Sequence, residues 1–104
     1  MTFEELQAAA HRNAVEKGFW DSPNLGEKLA LIHGEVSELM EAYRKGTEGE
    51  PCGKADLTNE EEEFADIALR LMDLAGHRGI DLATAIEKKH AYNLTRPHKH
   101  GKLF

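Results

Sequence analysis

The chain has 104 residues and a formal net charge of −6, from 13 basic and 19 acidic side chains. This length suits one compact domain, residues 1–104. An acidic balance argues against binding to nucleic acid polymers, which need a basic surface. No segment approaches the roughly 20 apolar residues of a membrane span, so no membrane contact is expected. One cysteine, Cys52, and no signal-peptide pattern indicate a cytoplasmic protein without disulfides.

Helical spacing of apolar residues predicts the first two elements of the fold. Thr2 and Glu5 form a capping-box pattern at the start of a first helix, which should stop before Gly18. Asn24 can cap a long second helix over residues 25–45, with basic side chains in its last turn. The N-terminal part of the chain is therefore expected to form two helices joined by a short turn.

The rest of the chain follows the same pattern. Residues 46–57 are polar and rich in glycine, which predicts an exposed connection. Thr58 and Glu61 repeat the capping-box pattern and open a third helix that extends to about Arg78. A fourth helix is predicted over residues 82–95, and no strand pattern occurs anywhere. The sequence therefore predicts an all-α fold of four helices.

The predicted third helix is apolar on most of its circumference, and its polar side chains fall on one narrow stripe. A helix that is apolar on several sides is usually buried on several sides. Four short helices in one chain are too few to bury it, so we expect a homodimer or a dimer of dimers with a shared core. The polar stripe consists of Glu63, Asp66, Arg70, Asp73 and His77.

Two acidic pairs with the same spacing lie on the second and third predicted helices. Glu35 and Glu38 form the first pair, and Glu63 and Asp66 form the second. Side chains at i and i+3 are neighbours on a helix, so each pair can share a cation. The helical neighbours of Glu35 are apolar, which predicts a carboxylate directed toward the core. Because buried carboxylates repel one another unless cations compensate, the pattern favours one magnesium site with four carboxylate ligands.

These pairs have two other interpretations. Either pair alone is more often an ordinary solvated helix face, but the occurrence of both pairs, with the first among apolar residues, favours the metal site. A di-iron bundle also gathers carboxylates on facing helices, yet its Glu-x-x-His motif is absent from both pairs. Ligation by oxygen atoms alone favours Mg²⁺, or Mn²⁺ in its place, over iron or zinc.

The predicted fourth helix carries basic and amide side chains on one face. Lys89, Asn93 and Arg96 stand at i, i+4 and i+7. A lysine, an amide and a forked guanidinium that face the same way can hold a polyphosphate. The alternative is a basic helix end that complements the helix dipole, and the acidic pairs are what favour a phosphate-binding role.

These spaced motifs together resemble the all-α nucleoside triphosphate pyrophosphohydrolases of the MazG-like superfamily. The motifs are Glu35-x-x-Glu38, Glu63-x-x-Asp66 and Lys89-x-x-x-Asn93. The similarity runs from about Leu25 to Arg96. It departs from the superfamily pattern at Gly34, where many members carry a further glutamate, so four carboxylate ligands are expected and a fifth is not.

The resemblance implies a four-helix MazG-like bundle completed by homo-oligomerisation. It also implies hydrolysis of a (deoxy)nucleoside triphosphate between the α- and β-phosphates, which yields a monophosphate and pyrophosphate. Alternatives are a phosphoribosyl-ATP or nucleoside diphosphate hydrolase of the same superfamily, or a non-enzymatic helical dimerisation module. The expected metal-binding and catalytic residues are Glu35, Glu38, Glu63 and Asp66, and the expected phosphate-binding residues are Lys89, Asn93 and Arg96.

Candidates for contact with the nucleobase lie near the start of the second helix. Trp20, with Phe19 before it, could stack on a base, although aromatic side chains serve equally often as packing at the end of a bundle. His11 and Asn13 on the first helix could reach the same pocket. The sequence therefore predicts Trp20 and His11 as the base-binding residues.

Overall fold

The computed structural model describes all 104 residues and contains four α-helices and no β-strand. The helices are α1 (Phe3–Glu16), α2 (Leu25–Lys45), α3 (Asn59–His77) and α4 (Leu82–Asn93), and a short 3₁₀ turn follows over His98–Gly101. The predicted all-α class and the order of the four helices are confirmed. None of these helices combines the length and the apolar character that a membrane span requires.

Side-chain caps fix where each helix begins. The Thr2 hydroxyl accepts a hydrogen bond from the Glu5 amide at 3.1 Å, and the Glu5 carboxylate accepts one from the Thr2 amide at 3.1 Å. Thr58 and Glu61 form the same capping box at the start of α3. These bonds satisfy amide groups that have no partner within the helix. The other two helices have single side-chain caps, Asn24 and Asp81.

Helix α3 is the centre of the fold, because both α1 and α2 pack against it. The contact with α1 is close at Gly76, where an added Cβ atom would lie 3.0 Å from the Cβ atom of His11. Glycine therefore permits this crossing, which a larger side chain would widen. Helix α4 contacts α1, and its Leu82 and Ile86 line a cavity together with residues of α2 and α3.

The chain buries few side chains on its own. The buried apolar residues are Ala42, Met72 and Ala75, and no large side chain is fully buried. The accessible surface is 7721 Å², whereas a compact protein of this mass exposes about 5,800 Å². The radius of gyration is 16.0 Å, against about 13 Å for a compact chain of this length. About 1,900 Å² of surface therefore lies uncovered beyond what a compact monomer would expose.

Helix α3 turns most of its polar stripe inward, except the exposed His77, and part of its apolar surface outward. Glu63, Asp66 and Arg70 are half-buried in the groove that α3 forms with α1 and α2. On the same helix, Phe64 is 57% exposed and Leu71 is 45% exposed. A helix that covers a core buries its apolar face and exposes its polar face, whereas α3 does the opposite on these two sides. The groove therefore contains the half-buried charged side chains of α3.

Candidate metal centre

Three carboxylates from α2 and α3 meet in the groove. Glu35, Glu63 and Asp66 each place one oxygen atom within 4.8 Å of the others. All three residues are half-buried, and the Glu35 side chain is only 13% exposed. We call this group the acidic cluster. It contains three of the four carboxylates that the sequence assigned to a metal site.

The fourth predicted ligand, Glu38, lies at the exposed edge of the acidic cluster. Its carboxyl group lies close to those of Glu35 and Glu63. Partial burial, followed by the charge of Glu35, raises the pKa of Glu38 above its usual value. All four carboxylates are therefore electrostatically connected, with Glu38 the most accessible to water.

Two oxygen atoms in the acidic cluster are buried without a hydrogen-bond partner. They are Oε2 of Glu35 and Oε2 of Glu63. A buried carboxylate oxygen without a donor is unfavourable by roughly 1–3 kcal/mol. A hard divalent cation, which binds carboxylate oxygens, would satisfy both atoms at once. The residues present therefore fit a magnesium ion.

Burial and neighbouring charge raise the pKa values of two carboxyl groups in the acidic cluster. Burial is the largest cause, and with the charges of Glu38 and Glu35 it raises the pKa of Glu63 to about 7. Burial and the charge of Glu35 also raise the pKa of Asp66. Each shift favours the neutral form, so a bound divalent cation would act in the opposite direction.

We expect the metal-free protein to become less stable as the pH rises from about 4.5 to about 7. Glu63 has a higher pKa in the folded chain than in the unfolded chain, so the folded state binds more protons in this window. The extra stability is complete below the unfolded pKa and disappears as the pH passes through the folded one. Urea unfolding in EDTA should show a loss of about 1–2 kcal/mol, reduced from the full shift by solvent screening.

The Glu63→Gln variant is the control for this pH effect, because it cannot ionise at the position with the largest shift. Its stability should depend less on pH over the same window. If the free energy of unfolding changed equally with pH in the wild-type protein and the variant, the assignment of the effect to Glu63 would be contradicted.

Two cations near the acidic cluster were not assigned by the sequence analysis. Nε of Arg70 donates to Oε1 of Glu35 at 2.9 Å, which links α3 to α2. Lys54, from the connection between α2 and α3, lies 3.0 Å from a carboxylate oxygen of Glu62. Arg70 follows Asp66 by four residues in the polar stripe, and this spacing indicates that its side chain lies near the carboxylates. No periodic pattern indicates where the loop places Lys54.

Of the predicted phosphate-binding residues, Lys89 and Asn93 lie on α4, whereas Arg96 lies in the turn that follows, because α4 ends at Asn93 and not at residue 95 as predicted. None of the three belongs to the acidic cluster. Nη1 of Arg96 lies 3.5 Å from the Asn93 side-chain oxygen. Lys89 and Arg96 both lie over the ring of Tyr92, at 4.8 and 5.6 Å from its centroid. Neither Lys89 nor Arg96 forms an ion pair with any carboxylate of the chain. Their role in phosphate binding stays a prediction.

The predicted base-binding residues share an acceptor on α3. Oδ1 of Asp73 accepts a hydrogen bond from Nε1 of Trp20 at 2.8 Å and lies 2.8 Å from Nδ1 of His11. The Trp20 ring stacks on His77 with centroids 3.8 Å apart, and the Lys28 ammonium lies 4.9 Å from the Trp20 ring centroid. Both residues therefore make internal contacts, and their binding to a base stays a prediction.

A cavity of about 260 Å³ adjoins the acidic cluster between α1 and α3. Asp66 and Arg70 belong to both the cavity and the cluster region, and Phe19, which is 49% exposed, forms part of its wall. A ligand that binds a metal at the cluster could therefore extend into this space. The cavity is lined by Ala10, Asn13, Ala14, Phe19, Asp66, Leu69, Arg70 and Asp73.

The groove thus combines carboxylates that have unpaired oxygens, cations that contact carboxylates, and an adjoining cavity. No protein-family model matches the chain, and no curated protein or solved structure matches it significantly. Chemically, this arrangement is suited to holding divalent cations and placing a polar ligand next to them.

Proposed function

We propose that the chain is a magnesium-dependent nucleotide pyrophosphohydrolase of the MazG-like type. It would cleave a (deoxy)nucleoside triphosphate between the α- and β-phosphates and release a monophosphate and pyrophosphate. The observation that carries the proposal is the acidic cluster, with its buried and unpaired oxygens on Glu35 and Glu63. The resemblance of the three sequence motifs supports the type of reaction.

The carboxylates would divide two tasks. Glu35, Glu63 and Asp66 would hold the metal, and Glu38 would join them from the edge of the cluster. Bound magnesium neutralises phosphate oxygens and lowers the pKa of a coordinated water molecule. A carboxylate that is free of metal ligation can orient the attacking water for in-line displacement. Spacing and geometry leave open which of the four performs this second task.

The remaining substrate groups would be held outside the acidic cluster. The cavity beside Asp66 has room for part of a nucleoside, with Phe19 on its wall and Asn13 as a polar contact. His11 and Trp20 both contact Asp73, which lines this cavity. Lys89, Asn93 and Arg96 would bind the phosphates and stabilise the charge of the leaving pyrophosphate.

We propose further that a second copy of the chain covers the exposed apolar surface. The excess of about 1,900 Å² per chain lies within the range buried by obligate dimers. Leu29, Val36, Met40 and Tyr43 are 45–58% exposed and follow one face of α2. In such a homodimer, or dimer of dimers, α4 of one chain could bring Lys89 to a neighbouring subunit. This offers a route by which Lys89 reaches the carboxylates.

The exposed apolar surface also supports a second candidate function. A non-enzymatic helical module that dimerises or binds a partner would use the same face of α2. It would gain nothing from carboxylates in the groove, so its function would be independent of metal and of Glu35. A related hydrolase acting on phosphoribosyl-ATP or a nucleoside diphosphate would need the metal but reject triphosphates.

Pyrophosphate release from a panel of ribo- and deoxynucleoside triphosphates tests the proposed reaction. We expect release with at least one of them in magnesium, restoration by manganese, and none in EDTA, because phosphoryl transfer here depends on charge neutralisation by the metal. Phosphoribosyl-ATP and nucleoside diphosphates belong in the same panel. A folded protein that hydrolyses none of these compounds would contradict the proposal and favour the dimerisation module.

A further inference from the structure

Arg70 lies between the acidic cluster and the adjoining cavity. Its Nε atom donates to Oε1 of Glu35 at 2.9 Å, across the α2–α3 contact. The centre of its guanidinium lies 5.9 Å from the centroid of the Phe19 ring, and Arg70 lines the cavity together with Asp66 and Asp73. A modest rotation of one side chain would therefore move its charge from one region to the other.

The pairing of Arg70 with Glu35 is incomplete on both sides. Arginine and carboxylate groups often pair through two parallel hydrogen bonds. Here only Nε donates, and the terminal nitrogens of Arg70 have no hydrogen-bond partner in the chain. The second carboxylate oxygen of Glu35 is buried and also has none. The contact thus supplies positive charge to Glu35 and leaves most of the binding capacity of the guanidinium unused.

No other ion pair reaches the acidic cluster. Glu35 pairs only with Arg70, whereas Glu63 and Asp66 form no ion pair. Lys54 pairs with Glu62 instead. A divalent cation held by the cluster would bring two further positive charges to within a few ångströms of the guanidinium. Like charges at that separation repel by several kcal/mol at the effective dielectric of a protein surface.

We propose that Arg70 is an exchangeable counter-ion for Glu35, which a metal ion displaces toward the cavity. This inference rests on the proposed function, because it requires a divalent cation at the acidic cluster. Without metal, Arg70 offsets the repulsion among the carboxylates. With metal bound, its free terminal nitrogens become available in the cavity to an oxygen atom of the substrate. Arg70 thus binds the substrate in the cavity once the metal has displaced it from Glu35.

Titration of the metal-free protein with Mn²⁺ alone, followed by electron paramagnetic resonance, tests this exchange without turnover. If Arg70 competes with the metal for Glu35, the Arg70→Gln variant should bind Mn²⁺ more tightly than the wild-type protein, by about tenfold. Arg12→Gln is the matched control, because Arg12 is exposed on α1 and forms no ion pair. It should change the affinity by less than about twofold.

Thermal unfolding separates an exchangeable counter-ion from an ordinary structural ion pair. Arg70→Gln should unfold at a lower temperature than the wild-type protein in EDTA, and the difference should disappear in saturating Mn²⁺. A structural ion pair would lower the unfolding temperature under both conditions. That result, or Mn²⁺ affinity equal to or weaker than that of the wild-type protein, would overturn the inference.

NMR of the unaltered protein provides a measurement that does not depend on folding of the variant. The Nε–H proton of Arg70 is hydrogen-bonded to Glu35, so its exchange with water should be slowed in EDTA. Saturating Mg²⁺ should accelerate this exchange severalfold, and unchanged protection would overturn the inference. Absence of metal binding to the wild-type protein would overturn the metal site itself, whereas normal binding with unchanged Arg70 protection would overturn this proposal alone.

Discussion

Replacement of Asp66 by asparagine is expected to reduce magnesium-dependent pyrophosphate release by about 1,000-fold. Asp66 contributes an oxygen to the acidic cluster and also lines the cavity, so it lies where metal and substrate would meet. Asparagine keeps the size of the side chain but removes its charge. Burial and neighbouring charge raise the pKa of Asp66, so the neutral amide should be tolerated by the fold. Steady-state assays and circular dichroism on the same samples measure both effects.

Glu41→Gln is the matched control for the loss of one carboxylate charge. Glu41 lies on α2, is exposed, and pairs with Lys45 at 3.5 Å rather than with the acidic cluster. Its substitution should leave turnover within about twofold of the wild-type value, as expected for a screened surface pair. If Asp66→Asn kept wild-type turnover, or if Glu41→Gln lowered turnover equally, the acidic cluster would not be the catalytic site.

Replacement of Val36 by aspartate is expected to dissociate and unfold the protein at micromolar concentration. Val36 is 45% exposed on the face of α2 that the proposed homodimer would cover. An unpaired carboxylate buried in that interface is unfavourable by several kcal/mol, which is comparable to the whole stability of a small domain. Size-exclusion chromatography with light scattering would report the mass, and circular dichroism would report the loss of helix.

Ala30→Asp places the same charge on α2 away from the proposed interface. Ala30 is exposed and lies about 120° around the helix from Val36, so this variant should remain a folded dimer. A wild-type protein that is a stable monomer at micromolar concentration would contradict the dimer. So would a Val36→Asp variant with unchanged mass and helicity.

Local patterns in the sequence were sufficient to predict the helices and their caps. Thr2, Asn24, Thr58 and Asp81 cap the four helices through bonds that span only three residues, so no knowledge of packing is needed to infer them. The convergence of the carboxylates could also be predicted from the sequence. The helical period places Glu35 on the inward face of α2 and the polar stripe on one side of α3.

The contacts between helices could not be predicted in the same way. Arg70 pairs with Glu35 only because α2 and α3 cross at a particular depth. Asp73 contacts His11 from α1 and Trp20 from the turn between α1 and α2. Residue types and spacing along one helix do not fix such crossings. The position of Lys89 relative to the acidic cluster is even less predictable from the sequence, because it would depend on how a second subunit packs.

Trp20 is an intrinsic fluorescent probe of the contacts of α3. It is the one tryptophan of the chain, and its ring stacks on His77 of α3 while its indole N–H donates to Asp73. The ammonium of Lys28, from α2, lies over the same ring. Indole emission responds to nearby charge and to stacking partners. The intrinsic fluorescence of the unmodified protein therefore reports on the contact of the turn between α1 and α2 with α3 at Asp73, which lines the cavity beside the acidic cluster.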